Sequence, residues 1–229
     1  MLPNRDLASE FEIVRTIAFV SQKGGSGKST LAANLAVRAA EAGEKVIALD
    51  LDPQASLAAW GDDRTADAPA VDRLTGDKLT RIPEVLAALA RQGFTLAILD
   101  TPGAASSVTN AAMRAADLCL IPARPTRLDL RATKPTIEAL VALRVAYSFV
   151  LSQCPPTSRS TRAPEAAAGL EMLGDVAPVM IVQRADFQDA IAAGQGVTEY
   201  AGGGKAADEI RALWDFVDRK TRNRDGKAA

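Results

Sequence analysis

Along the chain, apolar residues gather into short unbroken runs, separated by longer stretches in which they return every three or four positions. The runs at residues 16–21, 45–49, 95–99, 118–121, 146–151 and 176–182 have the length and β-branched content of strands. The stretches between them read as helices, most clearly residues 31–42, which are alanine-rich and closed by Gly43. Strands that are apolar at nearly every position are buried on both faces. The pattern therefore predicts an α/β fold, a mostly parallel twisted sheet flanked by helices on both faces. Loops are expected at 61–69, 153–160 and 201–204, none long enough to separate two domains. The organisation expected is an N-terminal extension over 1–14, a single domain over 15–218, and a basic, flexible tail over 219–229.

Composition narrows the chemistry. With 229 residues and 48% hydrophobic content, the chain suits one α/β domain with a large core. A net charge of −1 supplies no global field toward nucleic acid or membrane, so any such binding must use a local patch. Cys119 and Cys154 are too few for a disulfide framework and lack metal-ligand spacing; Cys119, inside an apolar run, reads as a buried thiol. Histidine is absent, which removes imidazole as base, nucleophile or ligand. No apolar run approaches the roughly 18 residues of a membrane span, and residues 1–10 lack a signal-type core, so a soluble cytoplasmic protein is expected.

Between the first strand and the first helix lies Lys23-Gly24-Gly25-Ser26-Gly27-Lys28-Ser29-Thr30. The usual phosphate-loop spacing would place a glycine at position 22, where this chain has Gln22, so the motif is a variant with a lysine at both ends of its glycine run. Its mechanics hold nonetheless. Gly24, Gly25 and Gly27 let backbone N–H groups curl around phosphate oxygens, Lys28 reaches the β- and γ-phosphates, Ser29 offers its hydroxyl to Mg²⁺, and the helix N-terminus faces the anion.

In an open parallel sheet, ligands sit at the carboxyl ends of the strands. Two predicted strand ends carry acids there: Asp50-Leu51-Asp52-Pro53-Gln54 and Asp100-Thr101-Pro102-Gly103. Strand alternation would put Asp50 and Asp52 on one side, facing the loop, and Asp100 is placed like the acid that holds Mg²⁺ through its water shell.

Together these segments resemble the ParA/MinD family of deviant Walker-A ATPases. The resemblance extends through Ala116-Asp117-Leu118-Cys119-Leu120-Ile121-Pro122, Leu128-Asp129-Leu130, 183–190, 205–210 and Leu213-Trp214, stretches similar to small ParA partition ATPases. It implies a P-loop NTPase domain, the cofactors ATP and Mg²⁺, and slow ATP hydrolysis. It further implies that Lys23 crosses to the partner's phosphates in an ATP-bound homodimer. Lys28 would be the phosphate lysine within the site, Ser29 the Mg²⁺ ligand and Thr30 an α-phosphate contact. Asp52 would position the attacking water, Asp50 support the Mg²⁺ shell, and Asp100 act as the Walker-B acid. Gln183 and Arg184 would lie near the adenine.

The family also implies partners: nonspecific double-stranded DNA, hence a nucleoid-associated location, and a centromere-binding ParB-like or cargo adaptor protein that stimulates hydrolysis. Arg184, Arg211, Arg219, Lys220 and Arg222, with Arg224 and Lys227 beyond, are the basic candidates for DNA. Two other readings compete. Ile210, Leu213, Trp214 and Val217 form an apolar stripe that a MinD-like protein could lay on a bilayer, although such stripes normally pack on their own domain. A metabolic enzyme of the same superfamily would need a substrate pocket or a cysteine-held cluster. About fourteen residues precede the first strand, so no helix-turn-helix domain is expected there.

Overall fold

The computed structural model describes residues 14–156 and 160–225. Residues 1–13 of the expected N-terminal extension, the loop residues 157–159, and residues 226–229 of the expected tail, Lys227 among them, lie outside the described residues.

Seven strands form one sheet: β1 (Arg15–Phe19), β2 (Val46–Asp50), β3 (Ala70–Arg73), β4 (Leu96–Asp100), β5 (Leu118–Ala123), β6 (Tyr147–Cys154) and β7 (Asp175–Val182). Their order is β3-β2-β4-β1-β5-β6-β7, every pair parallel. Between them run α1 (Lys28–Glu41), α2 (Ser56–Asp62), α3 (Ile82–Arg91), α4 (Ser107–Ala115), α5 (Arg127–Ala132), α6 (Lys134–Leu143) and α7 (Arg162–Glu171), and after β7 come α8 (Ala185–Ala192), α9 (Val197–Tyr200) and α10 (Lys205–Asp225). Because the strands are apolar on both sides, the sheet carries two cores. One unites Ile17, Phe19, Leu35 and Trp60 with Ile210, Leu213 and Trp214; the other unites Leu49, Leu99, Ile121 and Phe149 with Leu86, Met113 and Leu140.

Three expectations change. β3 arises where the apolar pattern is silent, since Ala70–Arg73 is a short edge strand, half-exposed at Ala70 and Val71 and exposed at Asp72 and Arg73. Gly61 and Asp62, expected in a loop, close α2. The expected flexible tail continues α10 to Asp225. Two sets of contacts hold that extension. Arg222 pairs with Asp218 one turn earlier, and Arg15 on β1 donates to Asp218 at 2.8 Å and Thr221 at 3.1 Å while also pairing with Glu44.

The apolar stripe of α10 is buried in the first core: Ile210, Leu213 and Val217 have no exposure and Trp214 has 3%. It is therefore not presented to a bilayer. Among the described residues no helix is long and apolar enough to cross a membrane. Cys119 and Cys154 are both buried free thiols, pushed by burial up to about 12 and about 11.

Candidate nucleotide site

β1 is flanked by β4 and β5, and the strand order turns back on either side of it, which opens a crevice above its carboxyl end. The loop 23–27 fills this point, with Gly25 at φ +71° and Gly27 at φ +94°, the left-handed region that glycine enters without strain. Gly27 is also the N-cap of α1, and no side chain caps the helix, so its first N–H groups remain available to an anion. The hydroxyl of Ser26 in the loop is buried without a partner. The loop after β4 presses against the phosphate loop from the other side. A Cβ built on Gly103 would stand 3.2 Å from the Gly24 backbone, so a glycine suits this approach.

Lys28, only 7% exposed, opens α1. Burial lowers the pKa of its ammonium, and the charges of Asp100 and Asp52 partly offset that. Asp100 ends β4 level with Asp50 on β2 and Phe19 on β1. Its carboxyl is 1% exposed, neither oxygen has a hydrogen-bond partner at good geometry, and burial pushes it up to about 7 against the opposing influence of the nearby Ser29 hydroxyl. A buried carboxylate with two unsatisfied oxygens beside a hydroxyl is a donor set that suits a hard divalent cation. No cluster of three or more acidic, histidine or cysteine side chains able to hold a metal occurs among the described residues, so such an ion would need nucleotide phosphates to complete its shell.

The other acids take different places. β2 stops at Asp50, so alternation along the strand does not govern Asp52. Asp50 is fully buried, and its two oxygens accept the N–H groups of Asp52 and Ala58, each at 2.9 Å. It braces the turn and the start of α2. Asp52 is half-buried, accepts the Gln54 N–H at 3.0 Å, and lies close enough to raise the pKa of both Lys28 and Asp100 by its charge.

Lys23 points away from a phosphate role in its own loop. Its Nζ lies 2.5 Å from Asp129 on α5. Burial of the Asp129 carboxyl is outweighed by hydrogen bonds from Lys23 and from the Thr126 hydroxyl and by the charges of Lys23 and Arg124, which hold it below the usual carboxylate range.

On the other side of the loop a cleft of about 300 Å³ is lined by Gly27, Thr30, Arg124, Gln153, Gln183 and Arg184, among others. Gln183 and Arg184 are thus brought beside the loop. Arg184 is held there by Glu209, whose one oxygen takes both its Nε and Nη2 while the other accepts the Val182 N–H.

The remaining DNA candidates are largely neutralised. Arg211 pairs with Asp208, Lys220 with Asp175, and Arg222 with Glu44 and Asp218; exposed Arg219 makes no ion pair with a described residue. Sequence reasoning did not give Asp129 its role and passed over Arg124, Ser152 and Gln153, although all follow or end predicted strands, where ligands of a parallel sheet gather.

Comparison with known proteins agrees with this geometry. The family described as the CobQ/CobB/MinD/ParA nucleotide binding domain matches residues 17–195. The maintenance of carboxysome distribution protein A of Halothiobacillus neapolitanus is 31% identical over 211 residues, covering 88% of this chain and 95% of that protein. Protein ParA of Rhizobium radiobacter is 30% identical over 152 residues, covering 63% of this chain and 67% of that one. Among solved structures, the cell division ATPase MinD of Pyrococcus furiosus superposes with a TM-score of 0.71 at 23% identity, covering 90% of this chain and 98% of that one. With a seven-stranded parallel sheet, a glycine loop at its switch point and a match spanning most of the domain, the chain belongs to the ParA/MinD family of nucleotide-binding ATPases.

Proposed function

We propose that this protein is an ATP-dependent switch: it dimerises around ATP and Mg²⁺, engages DNA without sequence preference in that state, and is reset when a partner protein stimulates hydrolysis. The observation that carries the reading is the pair of lysines on one phosphate loop, of which Lys28 is buried at the site while Lys23 is partly exposed and held by Asp129. A second cation at the mouth of the site is of use to phosphates brought by another subunit, where it neutralises charge on the γ-phosphoryl oxygens as an arginine finger does. Asp100 and Ser29 would hold the Mg²⁺, which supplies neutralisation of charge between the β- and γ-phosphates. Asp52 would orient the attacking water, and the cleft at Gln183 and Arg184 would take the adenine.

The relatives suggest the biological task. One maintains carboxysome distribution and another bears the name ParA, so the cargo positioned by this switch is a large assembly or a DNA molecule. A DNA face on α10 would rest chiefly on Arg219, since Arg211, Lys220 and Arg222 already have acidic partners.

Light scattering with and without ATP·Mg²⁺, followed by co-sedimentation with DNA, tests the reading. Lys23→Ala should bind ATP within about threefold of the parent yet fail to dimerise and hydrolyse; normal dimerisation and turnover would remove the main support. Asp52→Ala should keep ATP and accumulate as a dimer, and a monomer at saturating ATP would count against the role given to Asp52.

A further inference from the structure

The carbonyls of the phosphate loop are held from outside the loop. The Gly25 carbonyl accepts from the Arg124 guanidinium, just past β5, and from the Gln153 amide on β6 at 3.1 Å. The next carbonyl, Ser26, accepts from the buried Ser152 hydroxyl at 3.0 Å. Three side chains from adjacent strand ends thus bind two successive peptide groups. Gln153 adopts φ +50°, rare for a residue with a Cβ, at an irregularity in the β6–β7 pairing. That strain, worth about 1 kcal/mol or more, is of the kind found where structure serves a site. The Arg124 Nε is buried without a partner. The guanidinium also lies close enough to Asp129 to lower its pKa.

A trans peptide is planar, so a carbonyl and the N–H that follows it point to opposite sides. With the Gly25 and Ser26 carbonyls drawn outward to β5 and β6, the N–H groups of Ser26 and Gly27 are left for the concave side of the loop. Free glycine-rich loops can turn these peptides over, presenting a carbonyl dipole to an anion. We propose that Arg124, Ser152 and Gln153 are positioning residues for nucleotide: they lock the loop's peptide planes so that its amides form the phosphate cradle before ligand arrives. This rests on the reading of the loop as a nucleotide site, and it assigns the work of preorganisation to residues that touch the loop backbone rather than to the loop's own sequence.

The test is calorimetric titration of Mg·ADP and Mg·ATP into the full chain, with ³¹P spectra of the bound nucleotide and melting of the nucleotide-free protein. Arg124→Ala should weaken both nucleotides about tenfold and Ser152→Ala about fivefold, the worth of one charge-assisted and one neutral hydrogen bond. The bound β-phosphate resonance should move in each. Arg124→Lys, which can still donate to the Gly25 carbonyl, should recover most of the affinity and return the resonance. The double variant Arg124→Ala/Gln153→Ala should lose less than the product of the single losses, because both side chains serve one acceptor. Affinities within twofold of the parent and unmoved resonances in folded variants would overturn the proposal while leaving the loop assignment standing. Failure of the unmodified chain to bind either nucleotide would overturn both. Should Arg124→Ala not fold, Ser152→Ala and Gln153→Ala carry the same test.

Discussion

Lys28→Ala is expected to raise the dissociation constants for ATP and ADP by about a hundredfold or more, with the fold intact. The size follows from removing a charged donor from a buried anion site, where each such bond is worth about 1.5–3 kcal/mol and 2.8 kcal/mol is a factor of about a hundred. The intact fold follows from the electrostatics. Lys28 is a buried ammonium whose pKa is lowered, so it is held in the folded chain at a desolvation cost that alanine does not carry. Asp100 and Asp52 lose a neighbouring cation in the variant, and the two effects oppose each other. Titration with nucleotide, read beside the circular dichroism and melting of the nucleotide-free protein, separates loss of ligand from loss of structure. Retained affinity in a folded variant would contradict the assignment of the loop.

Asp100→Asn is expected to stabilise the nucleotide-free protein at pH 8 while reducing Mg²⁺-dependent hydrolysis by at least about a hundredfold, the loss expected when one preorganised electrostatic contact is removed. The carboxyl of Asp100 is pushed up to about 7 in the fold, chiefly by burial. Below about pH 4 it is protonated in folded and unfolded chains alike and makes no difference between them. Between about pH 4 and pH 7 the unfolded chain releases this proton and the folded chain keeps it, so stability falls as pH rises. Above pH 7 the loss is complete, about 4 kcal/mol at 1.4 kcal/mol for each unit between the two pKa values. Asparagine has no such charge to bury. The variant should therefore melt roughly 10 °C higher at pH 8, with the gap closing toward pH 4. Equal melting of the two proteins at pH 8 would show that Asp100 carries no burden of buried charge, and with it the case for a cation-binding carboxylate would weaken.

The parts of the fold that the sequence disclosed are those whose cause is local. β1, β2, β4, β5, β6 and β7 announce themselves because a strand covered on both faces is apolar throughout, and the phosphate loop is legible because its glycines and lysines are consecutive. β3 escaped because an edge strand exposed at Asp72 and Arg73 has no apolar run to display. The end of α10 escaped because Lys220 and Arg222 look like parts of a solvated tail until Asp175, Glu44 and Asp218 are placed beside them. Within the site, Lys28 and Asp100 follow from motif and strand end. The binding of Lys23 by Asp129 and of Gly25 by Arg124 joins residues about a hundred positions apart, and nothing in either segment alone encodes the meeting.

The bonds from Arg15 to Asp218 and Thr221 span more than two hundred positions of sequence, from the first strand to the last helix. At a synthesis rate of about 5–20 residues per second, those partners emerge roughly 10–40 s after Arg15 itself. The strand that carries the phosphate loop is therefore made well before its anchor. During that interval the nascent chain displays the loop without the helix that fastens β1, which is held meanwhile by its neighbours in the sheet as they are made.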